Sequence, residues 1–177
     1  MIIGIVAVDK NFGIGKTNKE TGKGELLFNL KKDMEFFKNT TMDSIVFCGY
    51  NTLLSFPGSK PLKNRSTICL CPEGIERDDC FCIHNFERAV QLVKELAKTK
   101  NVYVIGGGML YQSMLPYYDK VYVNKVDADS EAEVFFPNLD EHPGYEPYQF
   151  LPIIEDEGYK TQLVVYTRKI PLEELER

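Results

Sequence analysis

The sequence predicts an α/β domain: a mostly parallel twisted sheet of about eight strands, with helices on both faces and an antiparallel strand at the C-terminal end. Three observations carry this. Short β-branched apolar runs alternate with amphipathic stretches through the first two thirds of the chain. In the last third, strand-like runs follow one another with no helix between them. The 177 residues suit one domain and can bury a core without disulfides or metals. No repeat, low-complexity block or linker divides them. A single domain over 1–170 is expected, followed by a charged tail over 171–177.

The elements follow in order. Ile2 to Val8 is β-branched and apolar and reads as a buried strand. Asn11 to Gly24 carries four glycines and reads as a long loop, of a length that is functional or disordered in compact domains. Asn29 is a helix N-cap candidate, and Leu30, Met34 and Phe37 follow at i, i+4 and i+7, an apolar stripe ending near Thr40-Thr41. Ser44 to Cys48 is a strand closed by Gly49, and a helical turn near Thr52 to Ser55 stops at Phe56-Pro57-Gly58. Ser66 to Cys71 and Cys80 to Ile83 are strands. Asn85 caps a helix striped by Phe86, Ala89, Val90, Val93, Leu96 and Ala97. Val102 to Ile105 is a buried strand leading through Gly106-Gly107-Gly108 into a short helix to about Leu115. Lys120 to Val126, Val134 to Phe136, Tyr148 to Ile153 and Gln162 to Arg168 complete the strands.

Composition excludes several classes. The chain is 44% hydrophobic and 27% charged, ordinary for a globular protein, and no apolar run approaches the ~18 residues of a membrane span. The start, Met1-Ile2-Ile3-Gly4-Ile5, lacks the basic region and cleavage site of a signal peptide, so a cytoplasmic location is expected. Net charge is −5 with no basic stripe, which argues against nucleic acid as a partner. Lys16 to Lys23 reads as a solvated loop. The C-x-C pairs Cys69/Cys71 and Cys80/Cys82 have the wrong spacing for structural zinc, so reduced structural thiols are expected. His84 and His142 are too few for a His-rich metal site, and no metal is expected.

Three features could carry chemistry. Gly106-Gly107-Gly108 joins a strand to a helix, where glycines permit close backbone approach and a helix N-terminus suits phosphate. Neither the dinucleotide fingerprint nor the phosphate-loop motif is present. Asp33 lies about 60° from Leu30 and about 40° from Phe37 around the helix, at the edge of the apolar stripe. A half-buried carboxylate there would have a raised pKa and could hold an amidine-like group. The Arg65 fork suits a substrate carboxylate.

Together these segments resemble the dihydrofolate reductase family from residue 1 to about 168. Ile5-Val6-Ala7-Val8-Asp9 with Gly13-Ile14-Gly15 resembles its first strand and active-site loop. Gly24-Glu25-Leu26-Leu27-Phe28-Asn29-Leu30-Lys31-Lys32-Asp33-Met34-Glu35-Phe36-Phe37-Lys38 resembles its G-x-L-P-W-x-L-x-x-D-M-x-x-F-K motif. Val46-Phe47-Cys48-Gly49-Tyr50-Asn51-Thr52, Pro61-Leu62-Lys63-Asn64-Arg65, Ile105-Gly106-Gly107-Gly108 with Tyr111, and Asp127-Ala128 through Phe136-Pro137 match further segments in family order.

The resemblance implies reduction of 7,8-dihydrofolate to tetrahydrofolate, with hydride passing from the nicotinamide C4 of NADPH to the pterin C6. It implies that Asp33 binds the pterin and assists N5 protonation, with Phe28 and Asn124 in the catalytic group. Ile5, Ala7, Met34, Phe37, Phe56, Leu62 and Ile105 would line the substrate, and Arg65 would take its glutamate carboxylate. Ala7, Ile14, Gly15, Gly49, Tyr50, Asn51, Thr52, Cys71, Gly106, Gly107, Gly108, Met109, Leu110 and Tyr111 would line the cofactor, with a cis peptide between Gly106 and Gly107. A monomer acting on a small molecule is implied, with neither membrane nor nucleic acid as partner.

The chain departs from the family pattern at several positions. Leu27-Phe28 replaces P-W, Asn124 replaces a threonine, and the loop from Lys16 to Leu27 is lengthened. Tyr50, Cys71-Pro72 and Met109 replace the usual donors to the 2′-phosphate, which leaves NADH as the alternative cofactor and Arg77 as a candidate replacement base. The alternatives in function are a reductase of another pterin or of a riboflavin-pathway intermediate, and a non-catalytic binding or assembly module of the same fold. The Arg65 fork weighs against the former, Asp33 and the glycine turn against the latter.

Overall fold

The computed structural model describes residues 1–170 and Glu174, so all but one residue of the predicted tail lies outside the described residues. The chain divides into two compact units. One comprises Met1–Gly4 and Lys38–Tyr118, the other Ile5–Phe37 and the chain from Asp119. Strand β1 (Ile2–Val8) runs through both and is buried at every position but Ala7.

In the first unit, β4 (Ile45–Gly49), β5 (Ser66–Leu70), β6 (Phe81–Ile83) and β7 (Val102–Val104) join the start of β1 in the order β1-β7-β4-β5-β6. All four pairings are parallel. Parallel strands need crossover connections. Those from β4 to β5 and from β6 to β7 contain α2 (Tyr50–Ser55) and α3 (Phe86–Ala97). Asn85 caps α3 as expected, its side chain accepting the Arg88 N–H at 3.1 Å, and Ala89, Val90 and Val93 are its buried face. A short α4 (Gly108–Ser113) follows β7.

The second unit is antiparallel at its end. β12 (Tyr159–Arg168) pairs with β8 (Lys120–Val126), β10 (Tyr145–Phe150) and β11 (Ile154–Asp156), all antiparallel. The order here is β10-β12-β8-β1. The strands of this sheet number nine, with β1 counted once and β11 included. β11 was not expected as a separate strand.

The long loop expected over Asn11 to Gly24 is largely ordered as a hairpin. β2 (Gly13–Thr17) pairs with β3 (Gly24–Leu26) and with β9 (Val134–Phe135) in a small antiparallel sheet. Its root is tied down by buried Asp9, whose carboxylate accepts the N–H groups of Asn11, Gly13 and Ser130. Glycine-rich composition hid this hairpin, because its β2 register comes from a partner strand more than a hundred residues away.

Helix α1 (Lys31–Thr41) begins one residue later than a cap at Asn29 would place it, with Leu30 at the cap position. Its packing also differs. Phe36 meets Tyr122 of β8 edge-on, ring centroids 6.0 Å apart. Met34 is about 160° away from Phe36 around the helix, and so is 59% exposed instead of lying in a buried stripe with Leu30. Asp33 is only about 60° from Phe36, on the side that β8 covers.

Candidate active site

In the second unit, Asp33 occupies the first turn of α1 and is half-buried. Asn124, buried in β8 two residues from Tyr122, donates its Nδ2–H to Asp33 Oδ1 at 2.9 Å. Burial pushes the Asp33 pKa above the usual carboxylate value. The Asn124 hydrogen bond favours the ionised form and opposes this, while the charge of Asp156 adds to the rise. A carboxylic acid so placed keeps its proton to higher pH than a surface acid, which suits a group that handles protons.

Asp156 is a residue that sequence reasoning missed. Leu30 stands at the N-cap position of α1 and has no side-chain acceptor. Asp156 Oδ1 accepts the Lys32 N–H at 3.1 Å and Oδ2 accepts the Asp33 N–H at 3.0 Å. Among Glu155, Glu157 and Gly158 it looks like one more acid on a surface turn. The available signal was the turn itself. Glu157 and Gly158 have φ of 50° and 83°, the pattern of a two-residue hairpin with both central residues left-handed. That hairpin sets Asp156 opposite Tyr159.

Tyr159 in turn meets Phe28, ring centroids 5.1 Å apart at 69°. The tip of one hairpin therefore touches both the helix bearing Asp33 and the aromatic ring of Phe28. In the same unit Ile5 and Gly15 are buried, while Ala7, Ile14 and Phe37 are half-buried. The lengthened loop is held at β2 by Glu133, whose N–H donates to the Gly15 carbonyl at 2.9 Å and whose Oε1 accepts the Thr17 N–H at 3.4 Å.

In the first unit the glycine turn is tightly built. The Gly106–Gly107 peptide is cis. The Gly49 N–H donates to the Gly106 carbonyl at 2.8 Å, and the Tyr111 N–H to the Gly107 carbonyl at 2.9 Å. Gly106 has φ of 121°, and a Cβ there would lie 3.4 Å from the Tyr111 ring and 3.6 Å from Thr52 Oγ1. One on Gly107 would lie 3.4 Å from Thr52 Oγ1. Gly49, Thr52, Gly106, Gly107 and Tyr111 are thus brought together. Gly49 and Gly107 are the N-caps of α2 and α4 and provide no side-chain acceptor, so neither helix start is capped by its own N-cap residue. Gly108 opens α4, which is anchored by buried Leu110 and Tyr111, and Ile105 is half-buried before the turn.

Other predicted cofactor positions are placed differently. Met109 is 87% exposed and Asn51 is exposed. Tyr50 packs against a cluster that contains all five cysteines. Cys48, Cys69 and Cys82 are cross-strand neighbours on β4, β5 and β6, with Cys71 and Cys80 beside them. Cys71 is buried with its Sγ 3.2 Å from Cys82 Sγ, its N–H donates to the Ile83 carbonyl, and its carbonyl is within reach of His84 Nδ1. Its side chain therefore belongs to the core. The thiols are free, and burial pushes Cys71 up and Cys80 to about 12, as expected of inert structural cysteines. Among the described residues no group of three or more His, Cys, Asp or Glu is arranged to hold a metal. Arg77 is already engaged, Nε and Nη2 on Asp79 at 2.8 and 2.7 Å and Nη2 on the Ser59 carbonyl at 2.7 Å.

Arg65 is half-buried, as are Phe56 and Leu62. Its Nε donates to Thr41 Oγ1 at 3.2 Å, Nη1 to the Lys63 carbonyl at 2.7 Å and Nη2 to the Lys38 carbonyl at 3.3 Å. A guanidinium has five N–H groups, so one on each terminal nitrogen has no acceptor among the described residues.

Comparison with known proteins identifies the family and the fold. A model of the dihydrofolate reductase family matches residues 1–168. The dihydrofolate reductase of Staphylococcus haemolyticus is 32% identical over 133 residues, 75% of this chain and 74% of that one. That of Haemophilus influenzae is 29% identical over 166 residues, 93% of this chain and 97% of the other. The solved structure of dihydrofolate reductase from Enterococcus faecalis, complexed with NADP(H) and RAB-propyl, superimposes with a TM-score of 0.81 at 25% identity, covering 96% of this chain and 97% of that one.

Proposed function

This chain belongs to the dihydrofolate reductase family, and we propose that Asp33 is the acid on which its reaction turns. The enzyme reduces 7,8-dihydrofolate to 5,6,7,8-tetrahydrofolate with NADPH, a step of folate metabolism. The observation that carries the role of Asp33 is its half-buried carboxylate, raised in pKa and hydrogen-bonded through one oxygen to Asn124.

Asp33 binds the 2-amino group and ring nitrogen of the pterin as a fork, the geometry a carboxylate offers to an amidine. It assists protonation at N5 through water, a role to which a raised pKa is suited. Asn124 orients the carboxylate and spreads its charge. Phe28, stacked edge-on against Tyr159, supplies an aromatic wall without the indole N–H of the family tryptophan. Ile5, Ala7, Met34, Phe37, Phe56, Leu62 and Ile105 are the apolar contacts of pterin and benzoyl ring. Arg65 takes the glutamate carboxylate with its two unengaged N–H groups.

NADPH, when bound, supplies the hydride for C6. The glycine turn suits such a group: a Cβ at Gly106 would fill the space beside Tyr111 and Thr52, and one at Gly107 the space beside Thr52, so the glycines leave room for close backbone approach, and the helices that start after Gly49 and Gly107 have no side-chain acceptor at their N-caps. Gly49, Thr52, Gly106, Gly107, Gly108 and Tyr111 would hold it, with Ala7, Ile14 and Gly15. The protein acts as a monomer in the cytoplasm on this reading. The test is spectrophotometric: NADPH oxidation with dihydrofolate, then with NADH in its place. Turnover that collapses in Asp33→Ala is expected, and no turnover with either cofactor sinks the reading.

A further inference from the structure

The second and third residues of a helix normally give their N–H groups to the side chain of their own N-cap. In α1 those residues are Lys32 and Asp33, and Leu30 at the cap position can accept neither. Both N–H groups instead go to the two oxygens of Asp156, at 3.1 and 3.0 Å. Asp156 is 2% exposed, although aspartate is seldom so deeply buried. It is carried at the end of β11, opposite Tyr159 across the Glu157-Gly158 turn, so the hairpin holds it rigidly.

We propose that Asp156 is a positioning residue for Asp33: its carboxylate pins the turn that carries Asp33, and its negative charge behind that turn favours the protonated acid. The proposal rests on the reading of Asp33 as the proton-handling group. The effect of charge follows from what else surrounds Asp33. On α1, Lys31 is exposed and reaches Glu157 at 3.9 Å, Lys32 gives its ammonium to the Glu155 carbonyl at 2.6 Å, and Glu35 is exposed. β8 offers the neutral Asn124. From the hairpin, Glu155 and Glu157 are exposed and Asp156 alone is buried. Exposed charges are screened by water and salt, so the buried one dominates. The Asp33 pKa is raised by burial and, in the same direction, by Asp156.

Removing the charge has one sign by two routes. The repulsion that disfavours ionised Asp33 disappears, and the positive end of the α1 dipole is no longer neutralised, which favours ionised Asp33 further. The experiment is a carbon-13 carboxylate titration of the whole protein labelled at aspartate, with Asp33 assigned by difference from Asp33→Asn. It is run on wild type, Asp156→Asn and Asp156→Glu, beside the pH profile of dihydrofolate turnover at saturating NADPH. Asp33 should titrate about 0.5–1 unit lower in Asp156→Asn. The fall of turnover with rising pH should move down equally, and Asp156→Glu should recover most of the shift. Asp156→Ser keeps an acceptor without the charge and gives the same reading if the Asn variant does not fold. An unmoved Asp33 midpoint in a folded, uncharged variant overturns the proposal even if turnover is normal. A shifted midpoint in a protein that never reduces dihydrofolate supports the coupling and sinks only the functional reading.

Discussion

Asn124 Nδ2 donates to Asp33 Oδ1 at 2.9 Å, which ties β8 to the first turn of α1 across 91 residues of sequence. This bond favours ionised Asp33, against the burial that favours the neutral acid. The balance between the two can be moved by substitution.

Asn124→Leu removes the donor and keeps the branching of the side chain at Cγ. A hydrogen bond to a charged group contributes about 1.5–3 kcal/mol, and about 1.4 kcal/mol corresponds to one pKa unit. The Asp33 pKa should therefore rise by about one to two units. The decline of turnover at alkaline pH should move upward, opposite to the Asp156→Asn shift. A profile that stays in place would show that the bond does not bear on the reacting form.

Asp33→Asn should lower turnover by about a hundredfold or more, the usual scale for losing a positioned proton donor. It should also stabilise the fold, because the folded pKa of Asp33 is raised. Between the unfolded and folded pKa values the folded state binds more protons, so stability contributed by this group falls as pH rises through that window. The penalty is complete above the folded pKa and absent below the unfolded one. Thermal melts should show the Asn variant gaining on wild type at pH 8 and no gain near pH 3; a lower Tm at both would contradict this.

Gly106→Ala tests the glycine turn. A φ of 121° is a conformation that L side chains rarely adopt, so an alanine there is strained although its methyl would meet Tyr111 only at ordinary contact distance. A destabilisation of about 1–3 kcal/mol is expected, measured by urea unfolding, with weakened NADPH binding. Wild-type stability would mean that the turn relaxes at no cost.

Arg65→Ala should raise the KM for dihydrofolate well above any change in kcat, because the role proposed for the arginine is to meet the substrate tail and not the reacting atoms. Arg65→Lys should recover little, since one ammonium cannot reproduce the three bonds to Thr41, Lys63 and Lys38 and still present a fork. An unchanged KM in the Ala variant would remove the arginine from substrate binding.

Much of the fold was legible because its signals are local. The α3 boundary followed from Asn85 and the apolar stripe after it, and β1 from an unbroken β-branched run. The glycine turn, Asp33 and Arg65 were legible as motifs in order. The hairpin β2/β3 was not, because glycine and lysine carry little β preference and the pairing with β9 decides it. Met34 was misread for a similar reason. Helical periodicity gives angles between side chains, but the contact of Phe36 with Tyr122 sets which angle faces the sheet.

The sequence by itself determined the class of fold and the family and singled out Asp33 as the candidate acid, since alternating patterns and ordered motifs are properties of neighbours along the chain. Only the tertiary structure decided how that acid is held. Leu30 cannot cap α1, and the acceptor that replaces it arrives from Asp156, 123 residues beyond Asp33. Its burial between exposed Glu155 and Glu157 depends on which face of a three-residue strand is covered. Pairing register makes that choice, and a one-residue slip would have put Asp156 in water.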